Sequence, residues 1–410
     1  MDPQSPIRNP TWQLAWLSLA MFLGMTLWFS ATAATGAIAA EFPLTPGETA
    51  WLTMAVQGGF VIGTLVSALL NLPDVINARR LMALGCVVGA ALNATLVRAA
   101  SAEQIIALRL ATGIALAWVY PPGMKVAAGW FEKRRGAALG ILIGALTVGS
   151  AFPHLLAVAS ATIPWRTLVL SASTLAVCGG AIAALAVGDG PYVAANAPFD
   201  PRAIARVFSH RPTRLATLGY LGHMWELYAV WTWIAAFAVA SLASNRSVAL
   251  RPTSASAIAF IAIACGAIGS AAAGLCADRV GKARIAVAAM LTSGICATGA
   301  GLFFGRSVAA LTILAVVWGI SVVADSAQLS ALVAEHSPRD HVGTALTIQT
   351  CSGFLLTMIS IRLVPAVARA VGWQWAFLCV APGPFIGAYA LRGLTRSAHA
   401  HVLPRSPQPS

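Results

Sequence analysis

Residues 274–284 read GLCADRVGKAR and place Asp278, Arg279, Lys282 and Arg284 within eleven positions of a chain that is only 10% charged. Long apolar runs flank the stretch on both sides, and Gly274 and Gly281 frame it. The charges need water, and the flanks need to escape it.

The rest of the chain repeats that contrast. Its 410 residues are 58% hydrophobic with a mean hydropathy of +0.78, where a soluble domain is about 45–50% apolar and about a quarter charged. A water-soluble core cannot absorb this excess, because polar groups must still cover its surface. A bilayer can. Twelve apolar spans are read, at about 12–39, 47–72, 79–98, 102–128, 135–158, 165–187, 212–243, 253–276, 282–304, 307–334, 341–368 and 373–394. At about 1.5 Å per residue each reaches across about 30 Å of hydrocarbon. Lipid offers the backbone no partners, so each span is expected to be a helix. The fold class is an all-α polytopic membrane protein.

The formal net charge of +13 raises the question of nucleic acid, and its distribution answers it. With an even number of spans, seventeen of the 26 Lys and Arg residues fall in the termini and the loops on one side, and six on the other. That excess marks the cytoplasmic face, so both termini are expected there. No nucleic-acid surface is implied. The seven cysteines all fall in spans, with no C-x-x-C and no ligand-like spacing, so they read as small packing residues rather than disulfides or a zinc site. The opening MDPQSPIRNP is polar, and the apolar run after it is too long for a signal-peptide core. It reads as the first span.

The chain also repeats itself. NLPDVINARR (71–80) stands between spans 2 and 3 as CADRVGKAR (276–284) stands between spans 8 and 9, and Asp74 and Asp278 are 204 positions apart. Gly136 and Gly343, near the starts of spans 5 and 11, are 207 apart, and Gly113 and Gly319 in spans 4 and 10 are 206 apart. Parallel six-helix repeats with substrate held between them are a transporter architecture. The expected organisation is a bundle over 1–187 with a short N-terminal tail, a cytoplasmic linker over 188–211, a second bundle over 212–394 and a tail over 395–410.

On these residues the chain resembles the major facilitator superfamily from span 1 to span 12. GLCADRVGKAR is similar to that superfamily's G-x-x-x-D-R-x-G-R/K-x-x loop signature. The earlier copy is degenerate: Asp74 and Arg79 remain, but Asn77 replaces the glycine. Arg109 and Gly113 occupy the R-x-x-x-G positions of span 4. YPPGMK (120–125) followed by RRGAALG (134–140) gives a looser similarity to anion porters of the nitrate and cyanate type, without their Gly-rich signature. The resemblance implies alternating access, with substrate between the bundles in contact with spans 1, 4, 7 and 10.

The loop chemistry stands without the name. An aspartate at a helix end accepts backbone N–H groups at a neighbouring helix N-terminus, basic residues anchor the loop in the headgroups, and Gly281 allows a positive-φ turn. Asp278, Arg279, Gly281 and Lys282, with Asp74 and Arg79 in the earlier copy, are therefore read as a conformational clamp. The intact copy is expected to matter more, so that Asp278→Asn shifts the conformational balance more than Asp74→Asn does. For the basic residues, a simple positive-inside anchor is the competing reading.

Polar residues inside spans complete the set. An acid at the bilayer centre costs about 2.5–3.5 kcal/mol on the insertion scale, so it normally faces a cavity or a partner. Glu226 lies near the middle of span 7 with His223 three residues earlier, on the same helical face. Asp325 lies in span 10 with Gln328 three residues on. A carboxyl group leaving water keeps its proton more readily, and a bound cation reverses that preference. Glu226 is the first candidate for proton coupling, with His223 beside it, and Asp325 is the second. The candidates for substrate contact are Lys125, Arg109, Tyr120, Trp28, Gln57, Gln328 and Gln349. Arg109 and Lys125 have snorkelling as their alternative, and the glutamines have interhelical bonding.

The functional expectation is a secondary transporter of a small solute, coupled to protons and acting as a monomer in a bacterial inner membrane. No cofactor or metal is called for, and no nucleotide-binding G-x-x-x-x-G-K-[ST] motif is present. Lys125, Arg109 and the histidines lean towards a small anion. Export of drugs or metabolites by proton antiport is the alternative, although GALTVGSAFP (144–153) departs from the G-P-x-x-G-G pattern of such antiporters. A receptor on a transporter fold is the reading from another class.

Overall fold

Backbone groups placed in hydrocarbon must pair with one another, and the elements of this chain follow from that requirement. The computed structural model describes residues 9–159, 164–192, 199–245 and 252–400, all in helices and their connections. The last helix continues through Ala400, and residues 1–8, linker positions 193–198 and positions 401–410 of the tail expected over 395–410 lie outside the described residues. Among them, eleven helices are long and apolar enough to cross a membrane. These are α2 (Gly47–Leu69), α3 (Ala78–Arg98), α4 (Ala102–Trp130), α5 (Arg135–Val158), α6 (Trp165–Leu185) and α7 (Arg211–Ser244), followed by α8 (Thr253–Val280), α9 (Lys282–Phe303), α10 (Val308–His336), α11 (Val342–Val371) and α12 (Trp373–Leu394).

The first expected span differs. It begins as α1 (Pro10–Met25), breaks over Thr26–Phe29, and continues as short helices at Ser30–Ala33 and Thr35–Glu41. Side chains at the break compete with the helical ladder. Thr26 Oγ1 donates to Leu23 O (2.7 Å) and Ala172 O (3.0 Å), and Ser30 Oγ donates to Leu27 O (3.0 Å). Such back-bonding offers the chain an alternative to the helix. At 16 residues, α1 alone is too short to span.

Helix starts are fixed by local chemistry. Thr45 and Glu48 form a reciprocal capping box at α2, and Ser101 and Ser307 accept backbone N–H groups at the starts of α4 and α10. At the far end of the first stretch, Glu41 accepts from Arg166 Nη1 (2.7 Å) and Trp165 Nε1 (2.9 Å). These bonds, Arg166's first, hold its carboxyl at about 2 instead of 4.5. The bias is present above about pH 4.5 and lost as pH falls through about 2.

The helices pack in two sets, α1 to α6 and α7 to α12, with α5 against α8 and α2 against α11 joining them. Each set contains one very close crossing at the repeated glycine. A Cβ on Gly113 would stand 2.0 Å from Val56 O, and one on Gly319 would stand 2.2 Å from Ala262 O. The α2–α4 and α8–α10 crossings are thus equivalent, at the offset read from the sequence. Between the sets, Ser270 Oγ donates to Gly140 O (3.0 Å), and a Cβ on Gly274 would lie 2.7 Å from Gly136 O. All seven cysteines are free, but Cys178 and Cys276 are exposed on the bundle surface rather than buried as packing residues.

The crossing gives the first prediction. Gly113→Ala forces α2 and α4 apart and costs about 1–3 kcal/mol, seen as a lower melting temperature in detergent. Gly299→Ala, whose added Cβ meets nothing within 4 Å, leaves the melting temperature within error of the parent. Equal melting temperatures for both variants would refute the crossing.

Candidate functional site

The break in the first stretch frees carbonyl groups in the middle of the bundle, and Arg109 takes them up. Its guanidinium donates to Leu27 O (2.9 Å), Leu52 O (3.2 Å), Ser30 Oγ (3.2 Å), Asn93 Oδ1 (3.2 Å) and Trp28 O. Arg109 is fully buried, so these oxygens replace its water shell. Asn93 is held in turn by Ser173 Oγ (3.0 Å) and Val169 O (3.2 Å) as acceptors. Snorkelling is therefore the wrong account of Arg109. It holds the unwound turn, and that turn presents Trp28 to the opposite set.

The Trp28 ring meets Phe60 of α2 at 5.3 Å, Tyr228 of α7 at 5.6 Å and Phe354 of α11 at 5.6 Å between centroids. Tyr228 also meets Phe354 at 5.2 Å and Trp231 at 5.4 Å. These rings close the space between the two sets. Beside them lies a cavity of about 50 Å³ bordered by Tyr120, Thr147, His223, Tyr228, Trp231 and Ser326 among others. A water molecule's share of liquid is about 30 Å³. Ligand pockets usually hold about 300–1,000 Å³, so the site is contracted.

Two more helix breaks shape this space. α4 turns between its helices Ala102–Leu116 and Tyr120–Trp130, which sets Tyr120 at the cavity. α10 turns at Asp325, between Val308–Ala324 and Ser326–His336. Val119 and Asp325 are 206 positions apart, the same offset as the two crossing glycines. At the second break, Asp325 Oδ1 stands 2.8 Å from His223 Nδ1, and Ser326 Oγ stands 3.1 Å from His223 Nε2. His223 and Asp325 are 3% and 2% exposed, so the pair is sealed from bulk water.

Glu226 is 1% exposed and faces elsewhere. Oε1 accepts from Trp318 Nε1 (2.7 Å) and Oε2 from Ser293 Oγ (2.8 Å), which ties α7 to α10 and α9. Of the sequence candidates, then, Tyr120 and His223 border the cavity, Asp325 stands behind His223 without bordering it, and Trp28 packs beside it. Gln57 accepts from Thr357 Oγ1 of α11, bridging the two sets, while its Nε2 has no partner. Gln328 and Gln349 are buried with unpartnered amide atoms, and neither borders the cavity.

The family model described as Major Facilitator Superfamily matches residues 17–246 and again residues 229–409. The chain belongs to the Major Facilitator Superfamily. No curated protein matches it. As a superfamily member it is a multi-pass membrane protein and a transporter of the major facilitator type.

The ion pairs at the two loops differ from those expected of the clamp. Lys125 is not at the cavity: its Nζ is paired with Asp74 and donates to Pro73 O (2.8 Å), closing loop 70–77 onto α4. Asp278 is exposed and has no ion pair among the described residues. Its loop is held by Lys282 Nζ on Glu335 at the end of α10. The charges are exchanged between the copies, with acid on the loop in the first and base on the loop in the second. Asp74 and Lys125 are 17% and 15% exposed, against 48% for Glu335 and 26% for Lys282. The degenerate copy thus carries the better shielded clamp, because exposed pairs are worth only about 0–1 kcal/mol. Arg79 donates to Ala184 O (2.8 Å) and lies 3.6 Å from Asp189. Gly281 has φ of 97°, as the turn requires. Arg279 is exposed, as an anchor would be.

Opposite this end, a crevice of about 320 Å³ opens among Leu44, Thr49, Trp233, Pro365, Arg369 and Trp373. Sequence reading passed over Ser326, Trp231, Asn93, Phe60 and Phe354. Ser326, beside an intramembrane acid, was the one with a visible signal; the aromatic residues looked like ordinary core.

The clamps generate a labelling prediction. With Cys178 and Cys276 changed to serine, a cysteine at Thr147 reports access to the cavity from the loop end. Asp74→Asn raises its modification rate severalfold, and Asp278→Asn leaves it unchanged. The opposite ranking would return the clamp to Asp278.

Proposed function

We propose that this transporter is a proton-coupled secondary carrier working by alternating access, with His223 and Asp325 as its proton-carrying pair. Its twelve spans form bundles over 1–187 and 212–394 joined by the linker 188–211, with both termini in the cytoplasm of a bacterial inner-membrane protein, acting as a monomer. The first span is the broken stretch that starts with α1. The observation that carries the reading is the buried 2.8 Å contact of Asp325 with His223, the residue of the pair that borders the cavity.

The electrostatics are simple. An ionised aspartate beside a neutral imidazole leaves one net negative charge beside the cavity. One proton on the pair brings that charge to zero, and closing hydrocarbon around a neutral pair costs far less than around an uncompensated ion. Ser326 bonds the far imidazole nitrogen and so orients the ring. Glu226, the first sequence choice, is a weaker carrier because Trp318 and Ser293 occupy both of its oxygens away from the cavity. We assign it the positioning of α7 against α9 and α10.

The lean towards an anion loses its support. Lys125 is spent on Asp74, and Arg109 on the carbonyls of the broken helix. The similarity to nitrate and cyanate porters rested on the same part of span 4. Export of an organic solute in exchange for protons fits the cavity better.

Proteoliposomes carrying a pH-sensitive dye test the coupling. Across a panel of organic amines, amino acids and carboxylates, a transported solute evokes proton movement in the wild type. Asp325→Asn and His223→Gln abolish that movement, while Glu226→Gln keeps it and lowers the melting temperature. Proton movement that survives both Asp325→Asn and His223→Gln would overturn the assignment.

A further inference from the structure

We propose that the central site takes an amphipathic organic cation bearing an oxygen acceptor. The proposal rests on the coupling reading above and names the substrate class of the same site.

Three features of the cavity point there. First, rings dominate its wall: Tyr120, Tyr220, Tyr228, Trp231 and Phe354 all border it. Aromatic faces are electron-rich and attract a desolvated cation by about 2 kcal/mol or more, whereas they repel an anion. Second, no Lys or Arg is among the described residues that border the cavity, whose ionisable lining is His223 and three tyrosines, and the charged group nearest to His223 is the acid Asp325. His223 has Asp325 against it from α10, with Glu226 and Tyr220 on its own helix, and Tyr120 and Cys351 stand within electrostatic reach of Tyr220. The deprotonated His223–Asp325 pair leaves a negative charge that either a proton or a cationic solute neutralises. One site that accepts either, but not both, gives exchange.

The third feature is an orphan donor. Trp231 Nε1 is buried at the cavity and has no hydrogen-bond partner, and the same holds for Trp28 Nε1 in the adjoining ring cluster. An unsatisfied buried N–H costs about 1–3 kcal/mol, so these indoles call for an acceptor atom that arrives from outside. A solute oxygen meets that need while the cationic end lies against the rings. The cavity holds only about 50 Å³ as it stands, so binding has to draw the rings apart. Met224 on the same wall, unbranched and polarizable, adapts readily to such a change.

The test uses three probes of similar size that differ in charge: (3-hydroxyphenyl)trimethylammonium, its neutral isostere 3-tert-butylphenol, and 3-hydroxybenzoate. Their affinities for the purified full-length transporter at pH 7 are read by titration calorimetry. The cation is expected to bind at least about ten-fold more tightly than the neutral isostere, and the benzoate not at all. Asp325→Asn and Tyr228→Leu each remove most of that preference, and Tyr228→Phe, which keeps the ring, retains it. Equal binding of cation and isostere, tighter binding of the benzoate, or no binding by any of the three overturns the proposal, and the comparison needs no variant to fold. Failure of the coupling reading looks different: the cation preference stands, but cation-evoked proton movement persists in both Asp325→Asn and His223→Gln.

Discussion

A backbone carbonyl released from its helix inside a membrane has to find a donor, and much of this structure is arranged around that constraint. The first span breaks at Thr26–Phe29, and the freed carbonyls of Leu27 and Trp28 are met by a guanidinium reaching over from α4. A buried charge and a broken helix would each be costly alone. Together they satisfy one another, and Asn93, Ser30 and Ser173 complete the network. The result is functional as well as structural, since the unwound turn carries Trp28 to the seam between the two sets of helices.

The same logic governs α4 and α10. Their turns near Val119 and at Asp325 fall at the repeat offset and put Tyr120 and Ser326 on the cavity, with Asp325 behind His223. The repeat thus supplies equivalent breaks, and divergence has given them unlike side chains. An aromatic ring came from one copy and an acid from the other. That division suits a site in which one wall holds a solute by its faces while the other handles charge.

Eleven of the spans, the repeat offset and the buried polar positions Glu226, His223 and Asp325 were legible in the sequence, because apolar length and intramembrane charge are costs that any lipid-embedded chain must answer. Partner choice was not legible. Arg109 and Lys125 looked like free cations since neither has an acid nearby in sequence; in the structure one meets carbonyls from α1 and α2, and the other meets Asp74 across a loop. Asp278 looked like a clamp because its motif was intact, yet Lys282 carries the contact there. The break in the first span gave only the weak sign of Thr26 and Ser30 near a run of large apolar residues. Long-range pairing of that kind depends on which helices meet, and periodicity alone does not contain it.

The placement of strong and weak contacts bears on how such a protein moves. Within each set, backbones approach so closely at Gly113 and Gly319 that a single methyl would collide with a carbonyl, and the Arg109 network stitches α1, α2, α3 and α4 together. Each ion pair described above also joins elements of one set, or that set and its adjoining loop. Across the seam α5 and α8 also come close at Gly274 and Gly136, but the other contacts are the Ser270–Gly140 bond, Gln57 with Thr357, and rings meeting rings. Aromatic faces slide with little loss, since dispersion is non-directional. A buried guanidinium with five acceptors has no such freedom. Motion is therefore cheapest along the seam, where the cavity lies, and His223 borders that cavity with Asp325 behind it, where opening and closing change their surroundings most.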